Sequence, residues 1–155
     1  MSSVRQNILT KLNQCLSYVK TANGYDNTVK QIYKGFRSLN QTNEYPVLFY
    51  GLGSDIVENT SEDTSLNLMK CEAYIGVYFN SSDLTEEYEQ WIRDLKRFIL
   101  QDRNISDDKF LLLNEVDYIS SWNITEIQPY MDYDKNIGSL LIMFDIEYSE
   151  GVETL

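Results

Sequence analysis

The stretch CEAYIGVYFNSSDLTEEYEQWIRDLKRFIL, residues 71–100, contains the two clearest secondary-structure patterns of the chain. In its first nine residues apolar side chains occupy every second position. Such alternation is typical of a strand that lies with one face on a core. The predicted core face carries Cys71, Ala73, Ile75, Val77 and Phe79. The opposite face of this strand is predicted to be wet or aromatic.

The remainder of the same stretch predicts an amphipathic helix. Asp83 is a candidate N-cap, and Glu86 three residues later completes a capping-box pattern. An apolar stripe follows at three- and four-residue steps, made of Leu84, Tyr88, Trp91, Ile92, Leu95, Phe98 and Ile99. We expect this stripe to pack on the sheet and the basic residues of the helix to face solvent, namely Arg93, Lys96 and Arg97.

A first helix is predicted near the N-terminus, from Ser3 to about Thr21. Its apolar residues recur with helical spacing at Val4, Ile8, Leu12, Cys15, Leu16 and Val19. Gly24 is expected to end the helix in a left-handed conformation. Lys20 would then lie in the last turn, where a positive charge suits the helix dipole.

Two short strands and a loop are predicted between this helix and residue 70. Residues 28–36 are rich in β-branched and aromatic side chains, but lysines interrupt the pattern, as at a protected sheet edge. The segment YPVLFYGLG, residues 45–53, is an apolar strand with Pro46 at its start. We expect these two strands to form a hairpin. Residues 53–65 then predict a long acidic loop, a kind of segment that is often functional.

The C-terminal part predicts two long strands. Alternation is clear in residues 116–125 and 140–148, and the segment QPYMDYDKNIG, residues 128–138, joins them as a loop. The element order is therefore helix, three strands, helix, two strands. It predicts a single α+β domain over residues 1–155, with a mostly antiparallel sheet of about four to five strands and two main helices on one face.

Composition excludes several classes of function. The 24 acidic and 13 basic residues give a net charge of −11, which argues against a nonspecific nucleic-acid binder. The chain has no histidine, which removes Ser-His and Cys-His nucleophile pairs and His-based metal sites. No stretch approaches the roughly 20 apolar residues of a membrane span. The start of the chain lacks the apolar run of a signal peptide, so we expect a protein made in the cytosol without a membrane partner.

The remaining candidates for chemistry are weak. Cys15 and Cys71 are isolated within apolar patterns, which predicts two buried reduced thiols rather than a disulfide or a metal site. Asp132 and Asp134 form the nearest acid pair, but solvated turn residues are the favoured interpretation. The segment GLGSD, residues 51–55, lacks the Lys-Ser/Thr of a phosphate loop. The sequence therefore predicts no enzyme, cofactor or metal.

Taken in order, these parts resemble the tail terminator proteins of long-tailed bacteriophages, which cap the tail tube and join it to the head. The resemblance covers nearly the whole chain, except residues 104–114. It lies in the short N-terminal helix, the acidic loop and the segments NGYDNTV, YPVLFYGLG, KCEAYIGVYF, YEQWIRDLKRFIL and LLIMFDIEYS. It implies a virion protein, assembled in the host cytoplasm as a homo-hexameric ring on the tail tube. Its opposite face would receive the neck or head-completion protein, and DNA would pass through the lumen.

Two surfaces are candidate contacts in such a ring, because head-to-tail contacts need two different complementary patches. A basic segment with Lys30, Lys34 and Arg37 is expected to meet the acidic loop of the next subunit, with Asp55, Glu58, Glu62 and Asp63. Separately solvated charges are the alternative. Contact with the tail tube or neck is expected from Tyr130, Met131 and Tyr133, with a locally packed loop as the alternative.

Three other functions stay open from the sequence. The first is a head-completion or neck protein at the connector. The second is an adaptor that binds a partner strand along the edge at residues 28–36 without forming a ring. The third is a hydrolase that uses Asp132 and Asp134, for which activity would be lost on changing either residue to Asn.

Overall fold

The computed structural model describes residues 3–36, 38, 44–60, 67–100 and 118–150. Within these residues two α-helices and one five-stranded sheet are present. The helices are α1 (Val4–Leu16) and α2 (Leu84–Leu100). The strands are β1 (Gln31–Lys34), β2 (Val47–Thr60), β3 (Asn67–Asn80), β4 (Ile119–Asp132) and β5 (Ile137–Glu150). The predicted order of elements and the α+β class are confirmed.

The sheet has the strand order β1-β2-β3-β5-β4 and is mostly antiparallel. β1 lies at one edge, as predicted. The expected hairpin of residues 28–36 with 45–53 is wrong, because β1 runs parallel to β2, with Gln31 opposite Val47. Parallel neighbours require a crossover of about a dozen residues, which matches the connection 35–46. Pro46 directly precedes β2, as expected.

The predicted loop 53–65 is also wrong over residues 53–60, because β2 continues to Thr60, and residues 61–65 lie outside the described residues. Register shifts between Leu52 and Asp55 and between Val57 and Asn59 interrupt its pairing with β3. A bulge inserts an extra residue and breaks the two-residue period, so this part of the strand has no alternation in the sequence. The loop predicted at 128–138 likewise shrinks to residues 133–136, because β4 and β5 extend into it.

β4 forms the opposite edge of the sheet and is itself irregular. Its pairing with β5 shifts register between Ile119 and Ser121 and again between Ile124 and Glu126. Hydroxyl groups lie at both irregularities. Ser120 Oγ donates to the Glu147 carbonyl and Thr125 Oγ1 to the Met143 carbonyl, each at 3.2 Å.

α1 begins with a capping box that the sequence interpretation did not include. Ser3 Oγ accepts from Gln6 N at 3.1 Å, and Ser3 N donates to Gln6 Oε1 at 2.8 Å. The helix ends at Leu16 rather than Thr21, because Val19 has left it and its carbonyl accepts from Val29 N at 2.9 Å. Gly24, at φ 89°, closes a separate 3-10 turn over Thr21–Asn23, so Lys20 is outside the last turn of α1.

α2 begins as predicted, with Asp83 Oδ1 accepting from Glu86 N at 3.2 Å. Both helices contribute to one apolar core on a single face of the sheet, which confirms the predicted layering. The core includes Leu12 of α1, Trp91 of α2, Ile75 of β3 and Phe144 of β5. Cys15 and Cys71 are both buried, as expected, and form no disulfide within the described part of the chain. Within the described part of the chain, neither helix is long and apolar enough to cross a membrane.

The other face of the sheet carries a second, smaller cluster. Val47, Phe49 and Tyr78 are buried there although α1 and α2 both lie on the opposite face. Partly buried side chains surround them, namely Tyr33, Tyr45, Tyr74 and Leu141. Because neither described helix lies on this face, we call it the open face, and it is aromatic at one end, in agreement with the expectation from the alternation in β3.

Candidate functional site

The basic segment of the predicted subunit contact lies at the β1 edge of the sheet. Lys30 directly precedes β1 and Lys34 is its last residue, and both side chains are exposed. Lys30 N donates to the Pro46 carbonyl at 3.4 Å, which holds the start of the strand against β2. Arg37 lies outside the described residues.

Of the acidic residues predicted to meet the basic segment, Asp55 is the one whose side chain the structure describes. Asp55 lies in β2 rather than in a loop, and its Oδ1 is 2.7 Å from Arg5 Nη1. Arg5 Nη2 also donates to the Gly53 carbonyl at 2.9 Å, so this side chain of α1 holds the β2 bulge. Glu62 and Asp63 lie outside the described residues, as does the side chain of Glu58. Asp55 therefore already has a cation from its own chain.

Arg5 also contacts the buried thiol of Cys71. Arg5 Nη1 lies 3.2 Å from Cys71 Sγ. Burial raises the pKa of Cys71 to about 12, against the opposing effect of the Arg5 charge. Burial, followed by the nearby Asp55, also raises the pKa of Tyr148 well above its usual range. A thiol and a phenol that stay protonated are poor nucleophiles, so this cluster is a structural one.

The three residues predicted for the tube or neck contact do not form one patch. Tyr130 and Met131 are consecutive in β4 and therefore point to opposite faces of the sheet. Met131 packs against the main core, whereas Tyr130 is 55% exposed on the open face. Tyr133 lies in the turn between β4 and β5 and is 67% exposed. Tyr130 and Tyr133 are thus the members that a partner can reach.

Tyr130 borders a pocket of about 150 Å³ on the open face. We call this site the aromatic pocket. Its lining combines aromatic and aliphatic side chains with two polar residues, and its other members are Phe36, Phe49, Tyr78, Gln128, Pro129, Ser139, Leu140 and Leu141. Phe36 packs edge-on against Phe49 with ring centroids 5.4 Å apart, yet Phe36 is itself 67% exposed. Phe49 and Tyr78 lie 5.3 Å apart. Burial, followed by Tyr45, raises the pKa of Tyr78, so its hydroxyl stays neutral.

Two glycines make room for the rings of this face. Gly76 is directly opposite Phe49, and a Cβ at position 76 would lie 2.1 Å from Phe49 Cζ. Gly51 is directly opposite Tyr74, and a Cβ there would lie 2.3 Å from the Tyr74 hydroxyl. Each ring therefore lies flat across the neighbouring strand, a packing that a side chain at the glycine position would prevent.

The sequence interpretation missed a buried carboxylate on α2. Asp94 is 1% exposed and accepts from Asp26 N at 2.8 Å, from Asn27 N at 2.9 Å and from Asn27 Nδ2 at 3.0 Å. Burial raises its pKa, and these hydrogen bonds oppose the shift. The preceding residue, Arg93, pairs with Asp26 at 2.6 Å. Because its oxygens are occupied by the chain itself, Asp94 joins α2 to the turn after Gly24.

The acid pair Asp132 and Asp134 lies at the turn between β4 and β5. Asp132 ends β4, and its Oδ1 accepts from Lys135 N at 3.2 Å, while Asp134 lies in the turn and is exposed. Such side-chain to backbone bonds are typical of turn aspartates. Among the described residues, no group of three or more His, Cys, Asp or Glu side chains is arranged to hold a metal ion.

The aromatic pocket could have been found in part from the sequence. The alternation in β3 places Tyr74 and Tyr78 on the face opposite the core. The alternation in β5 places Leu141 on the same face, but its closeness to these rings depends on the register of β5, and that of Phe36 depends on the parallel pairing of β1. A reader of the sequence sees aromatic residues on one strand but not the partners that enclose them.

Comparison with known proteins identifies the fold but no family. No family model matches the chain, and no curated protein matches it. Among solved structures, a chain described as "Virion of native gene transfer agent (GTA) particle" is similar, with a TM-score of 0.50 and 9% sequence identity. The match covers 96% of each chain. At this identity the similarity concerns the fold, which the two chains share over nearly their whole lengths.

Proposed function

We propose that this chain is a structural virion protein that caps the tail tube as a ring and joins it to the head or neck. The observation that carries the proposal is the fold shared over 96% of both chains with a chain of a gene transfer agent virion. The order of sequence elements, which resembles tail terminators, supports the finer assignment. The role is assembly rather than catalysis, without a cofactor. Its place is the tail or neck of a virion, after assembly in the host cytoplasm.

The distribution of surfaces supports a ring. A ring of head-to-tail contacts requires two different patches on each subunit. The sheet offers β1, with Lys34, at one edge and β4 at the other. In the proposed ring the basic edge meets acidic residues of the next subunit. Asp55 is 26% exposed, so its carboxylate is accessible to a second cation besides Arg5.

The exposed tyrosines supply the axial contacts in this proposal. Tyr133 projects from the turn at one end of the sheet, and Tyr130 borders the aromatic pocket nearby. Aromatic side chains are enriched in protein interfaces because they bury a large area with few rotatable bonds. The net charge of −11 suits a lumen through which DNA slides without binding.

Native mass spectrometry of the purified protein, alone and with tail-tube subunits, tests the proposal. We expect a hexamer, formed by the chain alone or on the tube, and annular particles in electron micrographs. Single chains under both conditions would contradict it. Binding to a head connector without binding to the tube would favour the head-completion or neck alternative.

A strand-binding adaptor is the second candidate, and the position of β1 favours it. Among the described strands, β1 pairs with β2 on one side only and forms an edge of the sheet. An extended peptide can add to such an edge through backbone hydrogen bonds. A chain that stays monomeric and still captures a peptide, detected by protection of the β1 amides from hydrogen exchange, would support the adaptor over the ring.

A further inference from the structure

A polar groove runs between the outer flank of α1 and the end of β1. Its volume is about 460 Å³. Lys34 and Tyr50 form its wall on the side of the sheet, and they share one face because they are direct partners in the pairing of β1 with β2. We call this site the α1–β1 groove. The helix supplies the other wall, namely Gln6, Leu9, Thr10, Asn13 and Gln14.

The groove contains a polar side chain that the fold itself does not use. Tyr50 is 1% exposed and belongs to the main core, yet it lines the groove. Within the described part of the chain its hydroxyl has no hydrogen-bond partner, and the Lys34 ammonium group has none either. The Tyr50 hydroxyl is not among the enclosed polar atoms without a partner, which are Trp91 Nε1 and the Tyr148 hydroxyl. It is therefore reached from the groove.

The charge of the groove is opposite to that of the chain. Lys34 is the charged residue of its described lining, which includes no carboxylate. α1 contains no acidic residue, whereas the whole chain has a net charge of −11. The Gly35 N–H donates to the Tyr50 carbonyl at 2.7 Å, which holds the end of β1 beside Tyr50. An anionic group thus meets a cation and a phenol donor at one place.

We infer that the α1–β1 groove binds an extended segment of a partner protein through a carboxylate side chain. Lys34 Nζ and the Tyr50 hydroxyl both donate to that carboxylate. One lysine balances the single charge of a carboxylate, whereas a phosphate group brings roughly 1.5–2 negative charges. The inference deepens the proposed function, because it names the groove in which the basic edge receives an acidic residue. It rests on that proposal for the identity of the partner.

The shape of the groove favours a protein segment over a free anion. From Gln6 to Gln14 the helix rises about 12 Å at roughly 1.5 Å per residue, which equals about three to four residues of extended chain. The side-chain amides of Asn13 and Gln14 have no partner in the described part of the chain. Such an amide both donates and accepts, as a backbone peptide group does. Backbone contacts along α1 can therefore accompany the carboxylate contact at Lys34.

Titration with a synthetic peptide tests the inference. The probe is the blocked peptide ENTSEDTS, which copies the acidic residues 58–65, and its matched control is QNTSQNTS. We expect the acidic peptide to bind the full chain at least tenfold more tightly than the control, with NMR shifts at α1 and Tyr50. Equal affinities, no binding of either peptide, or the same shifts with sodium acetate at equal concentration would overturn the inference.

Three variants separate this role from a structural one. Tyr50→Phe removes the hydroxyl alone, so the urea midpoint should stay unchanged while the peptide affinity falls at least fivefold. Lys34→Gln should lower the affinity at least tenfold. Lys96→Gln removes an exposed charge from α2 and is the matched control, which should bind as the wild type does. Unchanged affinity in Tyr50→Phe, or equal losses in the two lysine variants, would overturn the inference.

Native mass spectrometry distinguishes the failure of this inference from the failure of the proposed function. Hexamers that form although the acidic peptide does not bind overturn the groove and leave the proposed function standing. Peptide binding by a chain that stays single, even beside tail-tube subunits, overturns the ring and leaves the groove standing. Peptide that protects the β1 amides from exchange and binds Tyr50→Phe as tightly as the wild type identifies strand addition, and it overturns the groove.

Discussion

At the level of single residues, the aromatic end of the open face depends on two glycines, because glycine has no side chain. Gly76 and Gly51 leave the space into which Phe49 and Tyr74 lie across the sheet. The rings of Phe49 and Tyr78 can then pack at 5.3 Å and form the floor of the aromatic pocket. The position of Phe49 in the pocket thus depends on the glycine opposite it on β3.

Replacing Gly76 by Ala should destabilise the protein by about 1–3 kcal/mol, because the new methyl group overlaps Phe49 and forces it to move. Urea unfolding monitored by circular dichroism measures the change. The same substitution in a Phe49→Leu background is the control and should be less destabilising, since the clashing ring is gone. Strictly additive effects of the two substitutions would contradict this packing.

The thiol of Cys71 should make stability decrease in alkali. Its pKa is raised to about 12 in the folded chain, so the folded state keeps the proton that the unfolded thiol loses near pH 9. The contribution is therefore complete below pH 9 and is lost as the pH rises towards 12. Between about pH 9 and 11 the free energy of unfolding should fall more for the wild type than for Cys71→Ala. Parallel curves for the two proteins would be inconsistent with this shift.

At the level of elements, Asp94 connects α2 to the segment after α1. Asp94→Asn should destabilise the protein by about 1–3 kcal/mol, because its NH2 group would face the backbone N–H groups of Asp26 and Asn27. Arg93→Ala is the matched control. Its exposed ion pair with Asp26 should contribute little, under about 1 kcal/mol. Chemical unfolding measures both changes. An equal loss of unfolding free energy in the two variants would contradict the role of Asp94 in connecting α2 to this segment.

Elements with an unbroken period were predictable, and those with an interrupted period were not. β3 and α2 follow periods of two and 3.6 without a break, and the structure confirms both. The part of β2 after residue 53 resembles a loop in the sequence because its bulges disturb the alternation. The sequence places the end of α1 too late. Val19 lies beyond the helix but is also buried, so it continues the helical spacing of apolar residues by coincidence.

At the level of the whole molecule, the basic edge at β1 gives the proposed ring a dependence on salt. Reversing Lys30 and Lys34 to Glu should reduce assembly at low ionic strength, because like charges would then face each other between subunits. The difference from the wild type should shrink at high salt, where exposed charges are screened within about 3 Å at 1 M. Light scattering across a salt series measures both effects. Unchanged assembly at low salt would contradict a role of these lysines in the contact between subunits.

The candidate site was less predictable than the fold, because it depends on register between distant segments. The sequence identified Tyr130, and the structure adds the residues that enclose the pocket beside it. Asp55 was predicted to pair with a basic residue of another chain. In the structure it pairs with Arg5 in the first turn of α1 of its own chain. Such assignments require the spatial arrangement of α1, β2 and β5, which no local pattern contains.

The two irregularities of β4 also affect how the protein behaves at high concentration. A flat outer strand invites identical chains to stack on it without limit. Here the pairing of β4 with β5 is irregular at two places, where bulges bend a strand. At those places the hydroxyls of Ser120 and Thr125 donate hydrogen bonds to backbone carbonyls of β5. We therefore expect this edge to resist fibre-like stacking of identical chains when the protein accumulates.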